Sequence, residues 1–219
     1  MQEVKRARGP YRSGLKRRAK IVEQAVEVFG RYGYSKGSLQ EIATRSGITP
    51  AAIMRHFDNK EELLVEVLRH WDDAQIADEK RYQGLAYFRS LRSVTENNIA
   101  HRGFIDLYLT LSIEASRADH PAHPFVVERY ERTMEVFTRH LRHAIDNGEI
   151  PAMDDDTVTY EAHLLIAVLD GFAIQWMLDA RIDLLLMIGT YVDAVITRWK
   201  IGGGYRPEPA AEKQDQDAG

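Results

Sequence analysis

"GSLQEIATRSGITPAAIMRHFDNKEELL", residues 37–64, contains two short apolar segments separated by a glycine. Ser38, with a glutamate three residues later, predicts a capped helix start, and Gly47 predicts the end of that helix. Thr49 followed by Pro50 predicts a second helix start, because proline is tolerated in the first helical turn. The stretch therefore predicts two short helices joined by a tight turn.

Helical periodicity continues on both sides of this stretch. Apolar residues recur at helical spacing from Ile21 until Gly33, and Asn59 or Asp58 begins a longer helix. Five further helices are predicted at residues 84–101, 103–117, 122–147, 156–179 and 183–200. No segment alternates like a strand, so the fold class is all-α with about nine helices. The first three helices are expected to form an N-terminal helix-turn-helix domain, and the later ones a larger helical body.

Composition divides the chain into four parts. A flexible basic arm is expected over residues 1–15, a helix-turn-helix domain over 16–60, a helical body over 61–201 and a disordered tail over 202–219. The tail is predicted from its glycine run and its mixture of proline and charge.

The charge is unevenly distributed. Residues 1–60 carry 13 Lys or Arg against 5 Asp or Glu, whereas residues 61–219 carry 16 against 28. A basic amino-terminal quarter on an acidic body indicates a polyanion-binding domain attached to a body that does not share that partner. The alternative is a solvated basic tail without a binding role.

Several classes of protein are not expected. The chain has no cysteine, which excludes disulfides and thiolate chemistry and suits the cytoplasm. The most apolar run, Leu164–Leu178, is interrupted by polar residues and is shorter than a bilayer crossing, so no membrane span is expected. The usual catalytic and phosphate-binding motifs are missing, so neither an enzyme nor a cofactor is predicted.

The second short helix begins with small residues. A recognition helix presents its N-terminal residues to base edges, and small side chains let its backbone approach DNA closely. Candidate DNA contacts are therefore Arg18, Lys36, Ser38, Gln40, Arg45, Thr49, Pro50, Ala51, Ala52, Arg55, His56 and Lys60. A plain helical hairpin would give the same spacing, and the basic arm favours DNA as the partner.

Residues 18–68 resemble the DNA-binding domain of the TetR (tetracycline repressor) family. "IVEQAVEVFGRYGY" is similar to its first helix, "SLQEIATRSGIT" to its second helix and turn, and "AAIMRHFDNKEELL" to its recognition helix and the start of the fourth. The resemblance implies an all-helical, usually homodimeric transcription regulator, often a repressor that a small ligand releases from a palindromic double-stranded DNA operator.

Two residues depart from the family pattern. Ala51 and Met54 stand where the family usually has glycine and tyrosine in the recognition helix. A methionine cannot donate a hydrogen bond to phosphate as that tyrosine commonly does. Part of the anchoring is therefore expected from Thr49, Arg55 or other basic groups.

The last two predicted helices are apolar around most of their circumference. Such helices in a soluble chain favour an intersubunit four-helix bundle, and the resemblance implies the same dimer surface. Its expected residues are Leu165, Leu169, Ile174, Leu185, Ile188, Val192, Val195 and Trp199. A monomer core that buries both helices is the alternative.

The helix at residues 103–117 mixes apolar residues with a few polar ones. This mixture suits a cavity for a small, mostly apolar ligand, although a filled core with paired polar groups fits as well. The expected lining is Phe88, His101, Phe104, Tyr108, Leu111, His163, Phe172, Trp176 and Met177.

Other sites and functions receive less support from the sequence. Histidines lie in pairs at 140 and 143 and at 120 and 123, but neither pair has a nearby carboxylate or thiolate at ligand spacing, so no metal is predicted. Two rival functions stay open. One is a protein- or membrane-interaction module that uses the basic arm, and the other is a helical enzyme that uses Asp106 or the histidines.

Overall fold

The computed structural model describes residues 10–36 and 38–204, with side chains omitted at residues 10–13, 34–36, 71 and 73–80. Within these residues the chain forms nine α-helices and no strand, which confirms the predicted all-α class. The helices are α1 (Pro10–Lys36), α2 (Leu39–Ser46), α3 (Pro50–Ile53), α4 (Lys60–Arg81), α5 (Leu85–Ala100), α6 (Arg102–Glu114), α7 (His123–Asp146), α8 (Asp155–Leu178) and α9 (Leu184–Lys200).

Two boundaries differ from the sequence expectation. Helix α1 already begins at Pro10, inside the segment expected to be a flexible arm, and the rest of that arm lies outside the described residues. Most of the expected tail, from residue 205 onward, also lies outside them. Helix α1 is interrupted at Gly33, where φ is 74° and ψ is −174°, so glycine ends its regular part as predicted.

Helices α1 and α6 cross at very short distance. A Cβ atom on Gly103 would lie 2.1 Å from the carbonyl oxygen of Phe29, and one on Gly30 would lie 2.7 Å from the ring of Phe104. Only glycine lets the two backbones approach so closely. Gly103 is the second residue of α6 and serves this contact.

The buried side chains form two clusters. The first joins α1–α4 to part of α6 and the start of α7, and it contains Phe29, Phe57 and Phe104. The second joins α5, α7, α8 and α9. The apolar core of the amino-terminal helices therefore continues into the body across the boundary expected at residue 60.

A buried ion pair fastens α8 to α9. Glu161 is 1% exposed, and both of its carboxylate oxygens accept hydrogen bonds of 2.6 Å from the guanidinium of Arg198. The indole Nε1 of Trp199 donates to the same carboxylate at 2.9 Å. Arg198 also donates to the carbonyl oxygen of Gly203 at 3.1 Å, which ties the end of the described chain to this pair.

Removing the arginine from this pair should destabilise the fold. We expect Arg198→Met to lower the free energy of unfolding by about 3 kcal/mol, because the buried carboxylate of Glu161 loses its charged partner. Denaturant unfolding measures the loss. The control is Arg142→Met, which breaks the exposed pair between Arg142 and Asp155 and should cost less than about 1 kcal/mol. Equal losses in the two variants would contradict the special cost of the buried pair.

Candidate DNA-binding surface and ligand cavity

Both short helices are capped as the sequence predicts. The Oγ of Ser38 accepts a hydrogen bond from the backbone N–H of Glu41 at 3.1 Å, and the Oγ1 of Thr49 accepts one from Ala52 at 3.2 Å. Between them Gly47 adopts a left-handed conformation with φ 71°. These bonds fix the turn between α2 and α3 and define its angle.

The outer side of this turn carries the predicted contact residues. Thr49, Ala51 and Arg55 are exposed, whereas Ile53 and Phe57 are buried and attach the turn to the core. Gln40 and Ser38 are also exposed, and Pro50, Ala52, His56 and Lys60 are half-buried. The side chain of Lys36 lies outside the described residues. We refer to Thr49, Ala51 and Arg55 as the recognition tip.

Helix α3 is shorter than the sequence suggests. It ends at Ile53, and residues 54–56 form a turn. The carbonyl oxygen of His56 accepts a hydrogen bond from the guanidinium of Arg18, 38 residues away in the chain. That carbonyl is therefore used by a tertiary contact rather than by a continuing helix.

Two arginines expected to contact DNA form ion pairs within the protein, and both are half-buried. Arg18 lies 4.2 Å above the ring of Phe57 and pairs with Glu62 at 2.9 Å and Glu66 at 3.6 Å. Arg45 pairs with Glu41 at 2.7 Å, which raises the pKa of Arg45 above its usual value. Arg18 therefore connects α1 to α4.

Helix α4 starts with a reciprocal cap. The amide oxygen of Asn59 accepts a hydrogen bond of 2.7 Å from the N–H of Glu62, and the Glu62 carboxylate accepts one of 2.5 Å from Asp58. Burial opposes the charged form of Glu62, but the hydrogen bonds from Asp58 and Arg18 prevail and lower its pKa. Glu62 thus joins the cap of α4 to Arg18.

A cavity of about 290 Å³ lies among helices α4 to α9. Most of its wall is apolar, and one end is polar. The apolar wall contains Leu91, Val94, Ile105, Val136, Phe137, Ile166, Leu169 and Ile188. The polar end contains Asp72, Tyr108, Arg129, Tyr130, Arg132 and Asp170. The cavity is close to the lower limit of about 300 Å³ for small-molecule sites.

The polar end is held by short contacts between three helices. The Arg129 guanidinium pairs with Asp72 at 2.9 Å and lies 4.0 Å above the ring of Tyr108. Tyr130 donates a hydrogen bond of 2.5 Å to Asp170. Burial raises the pKa of Asp170 and of Tyr130 above their usual values. The ion pair with Asp72 raises the pKa of Arg129, even though burial opposes its charge.

The expected lining is only partly correct. Phe104 and Tyr108 line the cavity. The other seven expected residues do not. Phe88, Leu111 and Trp176 are buried in the packed core, His101 and His163 are exposed, and Phe172 and Met177 are half-buried. The sequence shows the aromatic and histidine type of these side chains, but their positions around each helix place them outside the cavity.

A second cavity of about 580 Å³ adjoins the first between α6, α7 and α8. Both cavities are lined by Tyr108, Tyr130 and Asp170, so these three side chains form the wall between them. Exposed apolar side chains surround it, including Ile113 and Ile174.

The expected dimer residues require correction. Leu165, Ile188, Val192, Val195 and Trp199 are at most 6% exposed and lie in the second core cluster of the protomer. These five side chains therefore pack inside the protomer rather than on its surface. Leu169 and Leu185 are half-buried, and Ile174 is exposed.

Another face of α8 is apolar and uncovered. Every residue of this face is exposed or half-buried, and together the residues form a stripe that comprises Leu164, Ala167, Gly171, Ile174 and Leu178. Their spacing alternates between three and four residues, as along the seam of paired helices. A Cβ atom on Gly171 would have no neighbour within 4 Å. We call these five residues the α8 stripe.

Helix α8 is also the one described helix that is long and apolar enough to cross a membrane by length and composition. Only 33% of its most apolar 18-residue segment is buried in the protomer. The α8 stripe forms part of the segment that is not buried. In the described residues, no group of three or more histidine or acidic side chains is placed to hold a metal ion.

Comparison with known proteins links this geometry to one family. Residues 21–67 match the model described as "Bacterial regulatory proteins, tetR family". The chain is 27% identical over 138 residues to the HTH-type transcriptional regulator SrpR of Pseudomonas putida, an alignment that covers 61% of this chain and 63% of SrpR.

The whole fold has close structural likenesses. A TetR-family regulator from Cytophaga hutchinsonii superposes with a TM-score of 0.70 at 17% identity, over 86% of this chain and 97% of the other. The regulator FadR from Bacillus subtilis, solved in complex with stearoyl-CoA, gives a TM-score of 0.60 at 19% identity, over 82% and 97%. At such identities the likeness concerns the fold.

Proposed function

The chain belongs to the TetR family of bacterial regulatory proteins through its amino-terminal domain, and from this premise we propose that it is a cytoplasmic, homodimeric repressor of transcription. It binds a palindromic DNA operator through the recognition tip and leaves it when a small, mostly apolar molecule occupies the cavity. The observation that carries the proposal is the twice-capped turn between α2 and α3 with Thr49, Ala51 and Arg55 exposed.

The recognition tip has the chemistry for duplex DNA. Arg55 can pair with phosphate or with a guanine edge, and the methyl groups of Thr49 and Ala51 can contact thymine methyls. The hydroxyl of Thr49 accepts the capping bond and keeps its own hydrogen for a phosphate oxygen. The excess of basic residues before position 60 supplies the general attraction to DNA.

Dimerisation is supported by the α8 stripe. Pairing this stripe with its copy across a two-fold axis removes its apolar surface from water. The small residues Ala167 and Gly171 at its centre permit close helix approach. A two-fold dimer also places two recognition tips about 34 Å apart, on successive major grooves of one DNA face.

Release by a ligand is supported by the cavity and by its position beside α4. The cavity wall includes Leu68 and Asp72 of α4, and the first turn of α4 pairs with Arg18 in the helix-turn-helix domain. A ligand shifts operator affinity only if it prefers one arrangement of these helices. FadR of B. subtilis was solved with stearoyl-CoA, so a protein of this fold holds a ligand with a long apolar chain.

Neither rival function is favoured. The family match covers the helix-turn-helix, which explains the basic amino-terminal charge as a DNA-binding feature rather than as a protein- or membrane-binding arm. Members of this family are DNA-binding regulators, and Asp106 and the histidines are not needed for a reaction.

DNA selection tests the proposal directly. We expect genomic fragments that the purified protein retains to share an inverted repeat and to show a footprint over it. Affinity should fall about 10³-fold between about 50 mM and 200 mM salt, because bound phosphates release counterions. A scrambled duplex of equal length is the control. Equal affinity for both duplexes would overturn the proposal.

A further inference from the structure

Two guanidinium groups share one carboxylate at the polar end of the cavity. Asp72 of α4 accepts hydrogen bonds from Arg129 at 2.9 Å and from Arg132 at 3.0 Å, and its side chain is only 10% exposed. Arg129 and Arg132 lie three residues apart on α7, so they occupy adjacent positions on one helix face. Each guanidinium has five N–H donors, so one carboxylate satisfies only part of their capacity.

Among the described residues, Asp72 is the carboxylate that pairs with both arginines. Asp170 of α8 is a second carboxylate in the described lining, and it accepts a hydrogen bond from Tyr130. Burial raises the pKa of Asp170, so the site disfavours its negative charge. Tyr108 contributes the face of its ring to Arg129 and carries no charge. Two guanidinium groups therefore share one carboxylate beside an apolar cavity.

We infer that the cavity binds an amphipathic carboxylate, whose head pairs with Arg129 and Arg132 in place of Asp72 and whose tail lies against the apolar wall. A cationic head would meet both arginines, and a neutral head would gain no ion pair. The inference rests on the proposed function for its regulatory consequence, and it names the ligand class and the bond that the ligand breaks.

The position of Asp72 connects this bond to DNA binding. Asp72 is the residue of α4 that pairs with Arg129 and Arg132, and Arg69 pairs with Glu128 of α7 one turn earlier, at 3.5 Å. The first turn of α4 is paired through Glu62 with Arg18. When the ligand head displaces Asp72, the middle of α4 loses its strongest attachment to α7 while its start stays fastened to the helix-turn-helix domain. The released helix then changes the position of the recognition tip.

Matched probes test the ligand class on the full chain without DNA. We expect titration calorimetry to show that decanoate binds about ten- to a hundredfold more tightly than decanol, because one charge-assisted pair separates the two. Arg129→Gln and Arg132→Gln should each remove most of this preference. Arg142→Gln, on the exposed face of the same helix, is the control and should leave it unchanged. Asp72→Asn should raise decanoate affinity, because the internal competitor is weakened.

Several results would overturn the inference. These are equal binding of decanol, tighter binding of decylamine, no binding of decanoate, or a decanoate preference that survives in both arginine variants. Thermal unfolding shows whether each variant is folded. If Arg129→Gln does not fold, Arg132→Gln still tests the decanoate preference, because Arg132 is half-exposed and its loss should not disrupt the core.

Operator binding separates this inference from the proposed function. If the protein binds its operator but prefers decanol, it is a regulator and the carboxylate ligand is wrong. If it prefers decanoate but binds no duplex selectively, the ligand class is correct and the regulator function is wrong. If both hold, decanoate should release the wild-type protein from its operator, and Asp72→Asn should bind the operator more weakly without ligand. Undiminished operator affinity of Asp72→Asn would overturn the link between Asp72 and the recognition tip.

Discussion

Ala51→Glu should reduce operator affinity by about a hundredfold or more while leaving the fold and the dimer intact. Ala51 is exposed at the recognition tip, so the glutamate adds a negative charge where the proposed interface approaches the phosphates. Like charges brought together at an interface cost several kcal/mol, and about 2.7 kcal/mol already corresponds to a hundredfold. Titration of a labelled operator fragment measures the loss.

The matched control places the same residue outside the helix-turn-helix. Ala86→Glu changes an exposed alanine in the first turn of α5 and should leave operator affinity within about threefold of the wild type. Circular dichroism and light scattering confirm that both variants are folded dimers. Equal weakening by the two glutamates would mean that net charge, rather than the recognition tip, determines binding.

Gly171→Arg should prevent formation of the proposed dimer and lower operator affinity by about a hundredfold or more. No atom lies within 4 Å of the added Cβ, so the protomer can accept the side chain. In a two-fold dimer the two new guanidinium groups would face each other across the α8 stripe. A separated protomer binds only one half-site, so it also loses the gain in affinity of about 10²- to 10⁴-fold that two linked half-sites provide.

This variant should keep or increase the stability of the protomer, since glycine inside a helix costs about 1 kcal/mol relative to good helix formers. A loss of dimerisation without a loss of protomer stability would show that Gly171 lies on an interaction surface rather than in the packed core. Gly171→Ala is the conservative control and should remain dimeric in sedimentation experiments. A dimeric Gly171→Arg protein would exclude the α8 stripe as the dimer surface.

The sequence predicts the local features of this fold well. Ser38, Gly47 and Thr49 act through hydrogen bonds to residues at most five positions away, so the caps and the turn can be predicted without tertiary information. The later helices likewise begin and end within a few residues of their predicted positions. The amphipathic pattern places Ile53 and Phe57 in the core correctly.

Features that depend on distant residues were not predictable. Arg18 donates to the carbonyl oxygen of His56 from 38 positions away, and the pairing of Asp72 with Arg129 joins residues that are 57 positions apart in the chain. In sequence, charged residues on α4 and α7 resemble ordinary solvated faces. Only the packed arrangement brings them to one cavity.

Five of the eight residues expected at the dimer surface are buried in the protomer for a different reason. Helix α8 is apolar around most of its circumference, so periodicity does not distinguish the face that packs inside the protomer from the face left uncovered. Leu165 lies on the first face, and Ile174 on the second. The small residues Ala167 and Gly171 were the one signal in the sequence that could have marked the second face.

The glycine crossing of α1 and α6 has a mechanical consequence. Gly103 lies against the backbone of Phe29 and Gly30, so a side chain at position 103 would force the two helices apart. Phe104, the next residue along α6, lines the cavity and also packs against Gly30. The cavity wall and the first helix of the helix-turn-helix domain therefore meet at one aromatic ring, with no other side chain between them.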